Sequence, residues 1–416
     1  MALFNLLSLI ISFIAMASFV NARYFRKPPA IFLMLTGILF SIALLTIERI
    51  VPAYGHAIHA AILTINFSDS LLSFMLSFLL FAGALHVSFA ELRTAGLSIV
   101  SFAMLGTLIS SFIIGALLWL TGPLFGFHLP FLPALLFGCL ISPTDPIAVL
   151  GILRTAKIKK KVEIKIIGES LFNDGVAVVL FITVLAVSRE SGTTFNAGSM
   201  AVFFLQEVLG GIVTGLIVGY LGYVMMRAID HFQSEILISL SMVMGGYAFC
   251  SAMHFSGPLA MVVAGLITGN AGRKSAMSQT TQDYLGKFWE VLDEILNAFL
   301  FVMLGFQILQ IEMATRGILF GVAAYAISIS ARFASLLLPA MALRFRNTLE
   351  PNEIRAMTWG GLRGGISIAL ALSLPASPER NLIVTITFVV VALSIALQGF
   401  SIGKLIRHWK LSEAET

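Results

Sequence analysis

The amino-acid sequence predicts an all-α, polytopic membrane protein, and three observations carry that prediction. First, 58% of its 416 residues are hydrophobic and only 11% are charged, against about 25% charged residues in soluble globular domains. Second, the apolar residues gather into segments of about 17 to 25, the length a helix needs to cross a hydrocarbon core about 30 Å thick. Third, the lysines and arginines crowd into alternate connections between those segments, as the positive-inside rule describes for a multi-pass chain. The formal net charge of +5 is accounted for in this way, and no nucleic-acid partner is expected.

Taken in order, the candidate spans are 3–20, 29–47, 70–90, 97–120, 131–153, 163–187, 199–226, 235–253, 257–270, 284–309, 315–342, 353–374 and 381–406, thirteen in all. The ninth is short, and the stretch 56–66 is apolar enough to be a half-buried piece. Placing alternate connections on opposite sides puts 20 basic residues on one side, including Arg23, Lys159, Lys161, Lys165, Arg273 and Lys274. The other side holds only Arg49, Arg189, Arg316 and Arg380, while Arg332 and Arg363 lie inside spans. The basic side is expected to be cytoplasmic, with the N-terminus outside and the C-terminus inside. The first span lacks a basic leader, so it reads as a retained helix and not as a signal peptide. The C-terminal tail is expected to be short.

Several function classes fall away. There is no Walker A pattern, so ATP is not expected to drive this chain. Cys139 and Cys250 lie in separate apolar segments and suggest no disulfide framework or metal spacing. The histidines are scattered, and no cofactor is expected. A channel, a secondary transporter or a passive scaffold remains, and none of these is an enzyme.

Two spans are interrupted. Span five reads FLPALLFGCLISPTDPIAVLGILR, with Pro143 and Pro146 bracketing Thr144 and Asp145. Proline removes a backbone donor and clashes with the preceding turn. Asp145 is then expected to cap a new half-helix that has Pro146 in its first turn, with the carboxylate at the positive end of the dipole. Span twelve reads AMTWGGLRGGISIALALSLP, where Gly360, Gly361, Gly364 and Gly365 surround Arg363. Glycine weakens a helix by about 1 kcal/mol per residue. Interrupted spans at matching positions of two halves point to a transporter binding site. If spans 1–6 repeat as 8–13 around a linking span seven, five and twelve are counterparts of opposite topology.

Span six follows the first break and contains GESLFNDGVAVVLF. At about 100° per residue, Ser170 and Asp174 stand about 40° apart, with Asn173 beside them, while Glu169 lies about 140° from Asp174. A charge at the bilayer centre costs about 2.5–3.5 kcal/mol on the lenient scale. Asp145, Glu169, Asp174, Arg332 and Arg363 must therefore be paired, hydrated or ion-bound. Arg332 is the one ionisable residue in the middle of span eleven, and Glu169 is its expected partner in a structural ion pair. Asp174 and Asp145 are left facing the breaks. With Ser170, Thr144, Asn173 and freed carbonyls they form a hard oxygen set suited to an alkali cation. An aspartate at its ordinary pKa of about 3.9 is rarely protonated at neutral pH. Withdrawal from water favours the protonated form and a bound cation favours the ionised one, so one carboxylate can hold either. That competition is the chemistry of antiport.

The combination SPTDP, GESLFNDGVAVVLF, SGPLAMVVAGLITGN, FWEVLDEILNAFLFVMLGFQI, the SARF arginine and WGGLRGGISIALALSLP resembles the bacterial sodium/proton antiporters of the NhaP type, relatives of the animal sodium/proton exchangers. The resemblance runs over essentially the whole chain. It implies about 13 transmembrane helices in two inverted six-helix repeats, with helices 5 and 12 broken and crossing. It also implies a homodimer in the cell inner membrane. Scaffold helices are expected in 1–93 and 231–312, transport helices in 94–189 and 313–416, and a linker helix in 190–230. The resemblance puts cation and proton exchange at Asn173 and Asp174. It puts a monovalent cation at Asp174, Asp145, Ser170 and Thr144, and a structural pair at Glu169 and Arg332. It implies exchange of Na+, Li+ or K+ for H+, with a role in pH homeostasis. A single aspartate after Asn173, where electrogenic relatives carry two, implies electroneutral one-for-one exchange. One departure stands out: many relatives have an acid in LLFEGALH, where this chain has Ala82. Two rivals stay open on the residues alone, a cation channel and an organic-anion symporter clamping its substrate with Arg363 or Arg332.

Overall fold

The computed structural model describes residues 2–50, 75–90, 99, 101–145, 153, 158–189, 197–310, 314–342 and 350–411. The half-buried piece expected at 56–66, Pro146 with the half-helix expected after it, and the connections carrying Arg93, Arg154, Arg344 and Arg346 lie outside the described residues. Among the described residues the chain is helical apart from turns and one isolated bridge. The helices are α1 (Ala2–Val20), α2 (Pro29–Ile50), α3 (Leu76–Leu85), α4 (Thr107–Thr121), α5 (Phe131–Ile141), α6 (Lys160–Arg189), α7 (Ala197–Arg227) and α8 (Phe232–Met253). They continue with α9 (Gly257–Ile267), α10 (Gln279–Phe306), α11 (Thr315–Ala342), α12 (Pro351–Gly360), α13 (Gly365–Leu372), α14 (Pro378–Leu393) and α15 (Gly399–His408). Among the described residues, nine helical stretches are long and apolar enough to cross a membrane, and α3 and α5 are shorter apolar helices. The chain is a multi-pass membrane protein.

Local chemistry marks the helix starts. Ser256, Ser278 and Ser377 each accept a backbone N–H with the side chain, at the heads of α9, α10 and α14. α12 opens with a capping box between Glu350 and Glu353 and has Pro351 in its first turn. Each cap satisfies donors that no preceding turn can accept.

The packing reflects the expected internal repeat. α2 packs along α10, and α3 along α9. Under a repeat of spans 1–6 as 8–13, those two contacts are copies of each other. α4 meets α11, its own counterpart, and α4 lies along α5 as α11 lies along α12. The α2–α10 crossing depends on glycine: a Cβ on Gly305 would stand 2.7 Å from the Gly37 Cα. Small residues allow such close approach where lipid removes the hydrophobic drive between helices. Apolar side chains of α3, α8, α9 and α10 pack around the fully buried Trp289, whose Nε1 donates to Ser239 at 3.0 Å. α6 touches α5, α7 and α9.

Candidate functional site

The two interrupted spans meet at their breaks. α5 stops at Ile141, and α12 and α13 are separated by 361–364. Asp145 N donates to Leu362 O at 2.8 Å, forming an antiparallel bridge between the two extended strips. The glycines make this crossing possible: a Cβ on Gly364 would lie 2.6 Å from the Asp145 carboxylate.

Arg363, expected as a charge at the break, is 3% exposed. Its Nη1 donates to Ser142 O at 2.5 Å and Pro143 O at 3.1 Å, and its Nη2 donates to Ser328 O at 3.3 Å. The guanidinium thus covers carbonyls left unpaired at the end of α5, where the helix dipole is negative. Its backbone N donates to Ser394 Oγ at 3.0 Å. With those acceptors, Arg363 is a brace between the breaks, and the substrate-clamp alternative has no open guanidinium here.

The expected partners Glu169 and Arg332 meet in a two-pronged pair: Arg332 Nη1 reaches Glu169 Oε1 at 2.8 Å and Nη2 reaches Oε2 at 2.5 Å. Both side chains are buried. Asn173, expected at the cation and proton site beside Asp174, has partners on both sides of its amide. Its Nδ2 donates to Glu169 Oε1 at 2.7 Å and to Thr144 Oγ1 at 2.9 Å, and its Oδ1 accepts from Thr144 N at 3.4 Å. The amide ties the ion pair to the first break. Ser170 Oγ donates to Thr144 O, and the two hydroxyls stand 3.5 Å apart.

Asp174 is the exception. It is 7% exposed, yet makes no hydrogen bond or ion pair among the described residues. The charges that bear on it are the carboxylates of Asp145 and Glu169. Thr144, Ser170 and Asn173 meet at the first break, and with Asp145 and Asp174 they present oxygens of the kind a small hard cation takes.

Two charged residues escape the sequence reading. Lys165, counted there among the basic residues of the connections, is buried at the start of α6, and its Nζ stands 2.7 Å from Glu353 Oε2 at the start of α12. Asp293 on α10 has a buried Oδ1 with no hydrogen-bond partner among the described residues, and Asp145 is a charge that acts on it. A signal for it was present: Asp293, Asn297 and Leu300 share one helical face at i, i+4 and i+7, and Leu300 lies against Gly365 at the second break.

Comparison with known proteins agrees with this architecture. Residues 9–408 match the model of the transmembrane sodium/hydrogen exchanger family. The chain is 45% identical over 414 residues to the Na(+)/H(+) antiporter NhaP of Pseudomonas aeruginosa, covering 97% of each protein. It is 33% identical over 396 residues to the Na(+)/H(+) antiporter NhaH of Halobacillus aidingensis, covering 94% of each. Its fold matches that of the sodium proton antiporter MjNhaP1 from Methanocaldococcus jannaschii with a TM-score of 0.78 at 20% identity, over 99% of this chain and 100% of that one. A match along nearly the whole length, with the crossed breaks and buried acids in place, means that this chain belongs to the sodium/hydrogen exchanger family of transmembrane transporters.

Proposed function

We propose that the protein exchanges a monovalent cation, Na+ in first place, for H+ across the bacterial inner membrane, with the two competing for Asp174. The observation that carries this reading is the contrast at one site: Glu169 is fully paired, whereas Asp174 is buried with no partner among the described residues. An uncompensated carboxylate at membrane depth is costly unless neutralised, and a proton or a cation does so in turn. Thr144, Ser170 and Asp145 complete the cation's oxygen shell. Asn173 holds the first break against the Glu169–Arg332 brace.

Antiport follows if the site opens to each face only when loaded. The helices α4–α6 and α11–α15 carry the site and move against α1–α3 and α8–α10, which hold a homodimer together in the bilayer lipid. One carboxylate carries one proton in one direction and one cation in the other, so no net charge crosses per cycle. The basic loops then face the cytoplasm, the N-terminus faces outside and the C-terminus lies inside.

The test uses purified protein in sealed vesicles with a pH-sensitive dye. Adding Na+, Li+ or K+ should drive proton movement, with Na+ giving the lowest KM. Lowering the pH should raise that KM and leave the maximal rate unchanged, because protons and cations compete for one site. Transport should ignore the membrane potential, which otherwise contributes about 2.3 kcal/mol per charge per 100 mV. A sustained current under a cation gradient would overturn one-for-one exchange, and channel-sized currents would overturn antiport.

A further inference from the structure

Away from the crossed breaks, the ends of α3 and α9 and the start of α10 border an open pocket of about 340 Å³, lined in part by His86, Asn270, Arg273, Lys274 and Gln282. α9 continues through a π turn (Thr268–Gly272) into the short turn Arg273–Ser275, which forms one wall. Neighbouring contacts set its level. Ser275 Oγ and Tyr223 Oη stand 3.1 Å apart near the end of α7, and Ser278 Oγ donates to Asp230 at 2.7 Å. Helices stop and start here, in connections that the positive-inside rule assigns to the cytoplasmic face, where lipid headgroups are expected.

The walls are fixed by hydrogen bonds that leave the positive groups unused. Asn270 Oδ1 accepts from Phe89 N at 2.6 Å, while its Nδ2 donates to Val87 O at 2.8 Å and Leu266 O at 2.9 Å. Gln282 Nε2 donates to Arg273 O at 2.8 Å and Met277 O at 3.2 Å. His86 Nδ1 is engaged with Ala82 O at 2.9 Å. The Arg273 guanidinium lies over α10 at Gly286, where no side chain intrudes. Its Nε is buried with no hydrogen-bond partner among the described residues. Burial pushes this guanidinium below its usual pKa, and no carboxylate opposes that shift. Lys274 is a second cation on the rim, and no acid is among the described lining residues. A half-buried, unpaired arginine beside a lysine is costly to leave without an anion, and a guanidinium fork matches the oxygens of a phosphate.

We propose that this pocket is a binding site for a phosphate group, held by Arg273 with Lys274 as the second charge. The phosphodiester of an anionic phospholipid and free inorganic phosphate share that chemistry, and basic pockets between helices at this depth suit lipid headgroups. Occupancy would tie α3, α9 and α10 together at one end of the bundle.

The experiment measures thermal unfolding of the full-length protein in detergent during titration with phosphatidylglycerol, phosphatidylcholine or inorganic phosphate. Wild type should melt higher with phosphatidylglycerol and not with phosphatidylcholine. The concentration giving half the shift should rise about fivefold in Lys274→Gln and further in Arg273→Gln, consistent with the usual worth of one basic residue at an anionic surface. Arg273→Lys should fall between wild type and Arg273→Gln, because it keeps the charge and loses the fork. If Arg273→Gln does not fold, the Lys274→Gln and Arg273→Lys curves decide the matter. A shift with inorganic phosphate alone, lost in the same variants, would identify the site as one for a soluble anion. No shift with either phosphate source, or a shift that all variants keep in full, would overturn the proposal.

Discussion

α6 carries two kinds of buried charge, and under the proposed exchange their difference separates structure from transport. Toward its start, Lys165 is closed onto Glu353 at 2.7 Å, and one turn further Glu169 is held by both prongs of Arg332. Five residues beyond Glu169, Asp174 is also buried and meets no such partner among the described residues. Paired charges at membrane depth hold helices together. Glu169 joins α6 to α11, and Lys165 joins α6 to α12. The unpaired acid is where a proton or a metal ion has something to neutralise. Position on the helix decides which role a residue takes, since the three groups lie within three turns of one another.

The sharpest way to break this contrast is to neutralise each acid in turn. Asp174→Asn should bring cation-driven proton movement in vesicles down to the level of empty vesicles, while the melting temperature holds or rises because no partner is stranded. Full exchange by this variant would remove Asp174 from the transport site. A clear loss of stability would show that Asp174 belongs with the paired group.

The paired residues should behave the opposite way. Glu169→Gln or Arg332→Gln leaves a buried charge without its partner, which typically costs about 3–5 kcal/mol. The double variant should be more stable than either single one, since it strands no charge. Unfolding of all three in the same detergent, arranged as a double-mutant cycle, measures the coupling. Additive losses would mean that the bidentate contact contributes nothing of its own.

How far these roles were legible in the sequence depended on what each residue touches. Glu169 and Arg332 could be matched because each is charged where few others are. The broken spans announced themselves through proline and glycine, whose backbone effects are local. The partners of Arg363 could not be read, because they are carbonyl oxygens that every residue carries. The partners of Asn173 could not be read for a related reason: helical periodicity sets the face a side chain occupies but not which neighbour takes its hydrogen bonds. Lys165 looked like one more loop lysine, since only the arrival of α12 from far along the chain buries it. Asp293 was hidden among Asp283, Glu290 and Glu294, which give the first half of α10 the look of a solvated face.

Asp293 offers a finer test of the same contrast. Its Oδ1 is buried without a hydrogen-bond partner among the described residues. It differs from Asp174 in standing on α10, outside the crossed breaks. A role as long-range attractor for the incoming cation predicts a smaller effect than loss of Asp174. Two unit charges about 10 Å apart interact by about 1.7 kcal/mol at an effective dielectric of about 20, and water entering the open site reduces that. Asp293→Asn should therefore raise the cation KM by roughly three- to tenfold, within the range such an energy allows, and leave the maximal rate close to wild type. Asp293→Glu should restore most of the affinity, because charge and not shape is what the site requires. If the maximal rate falls with KM unchanged, Asp293 acts on the motion of the helices. If neither moves, the acid on α10 plays no part in drawing the cation toward Asp145 and Asp174.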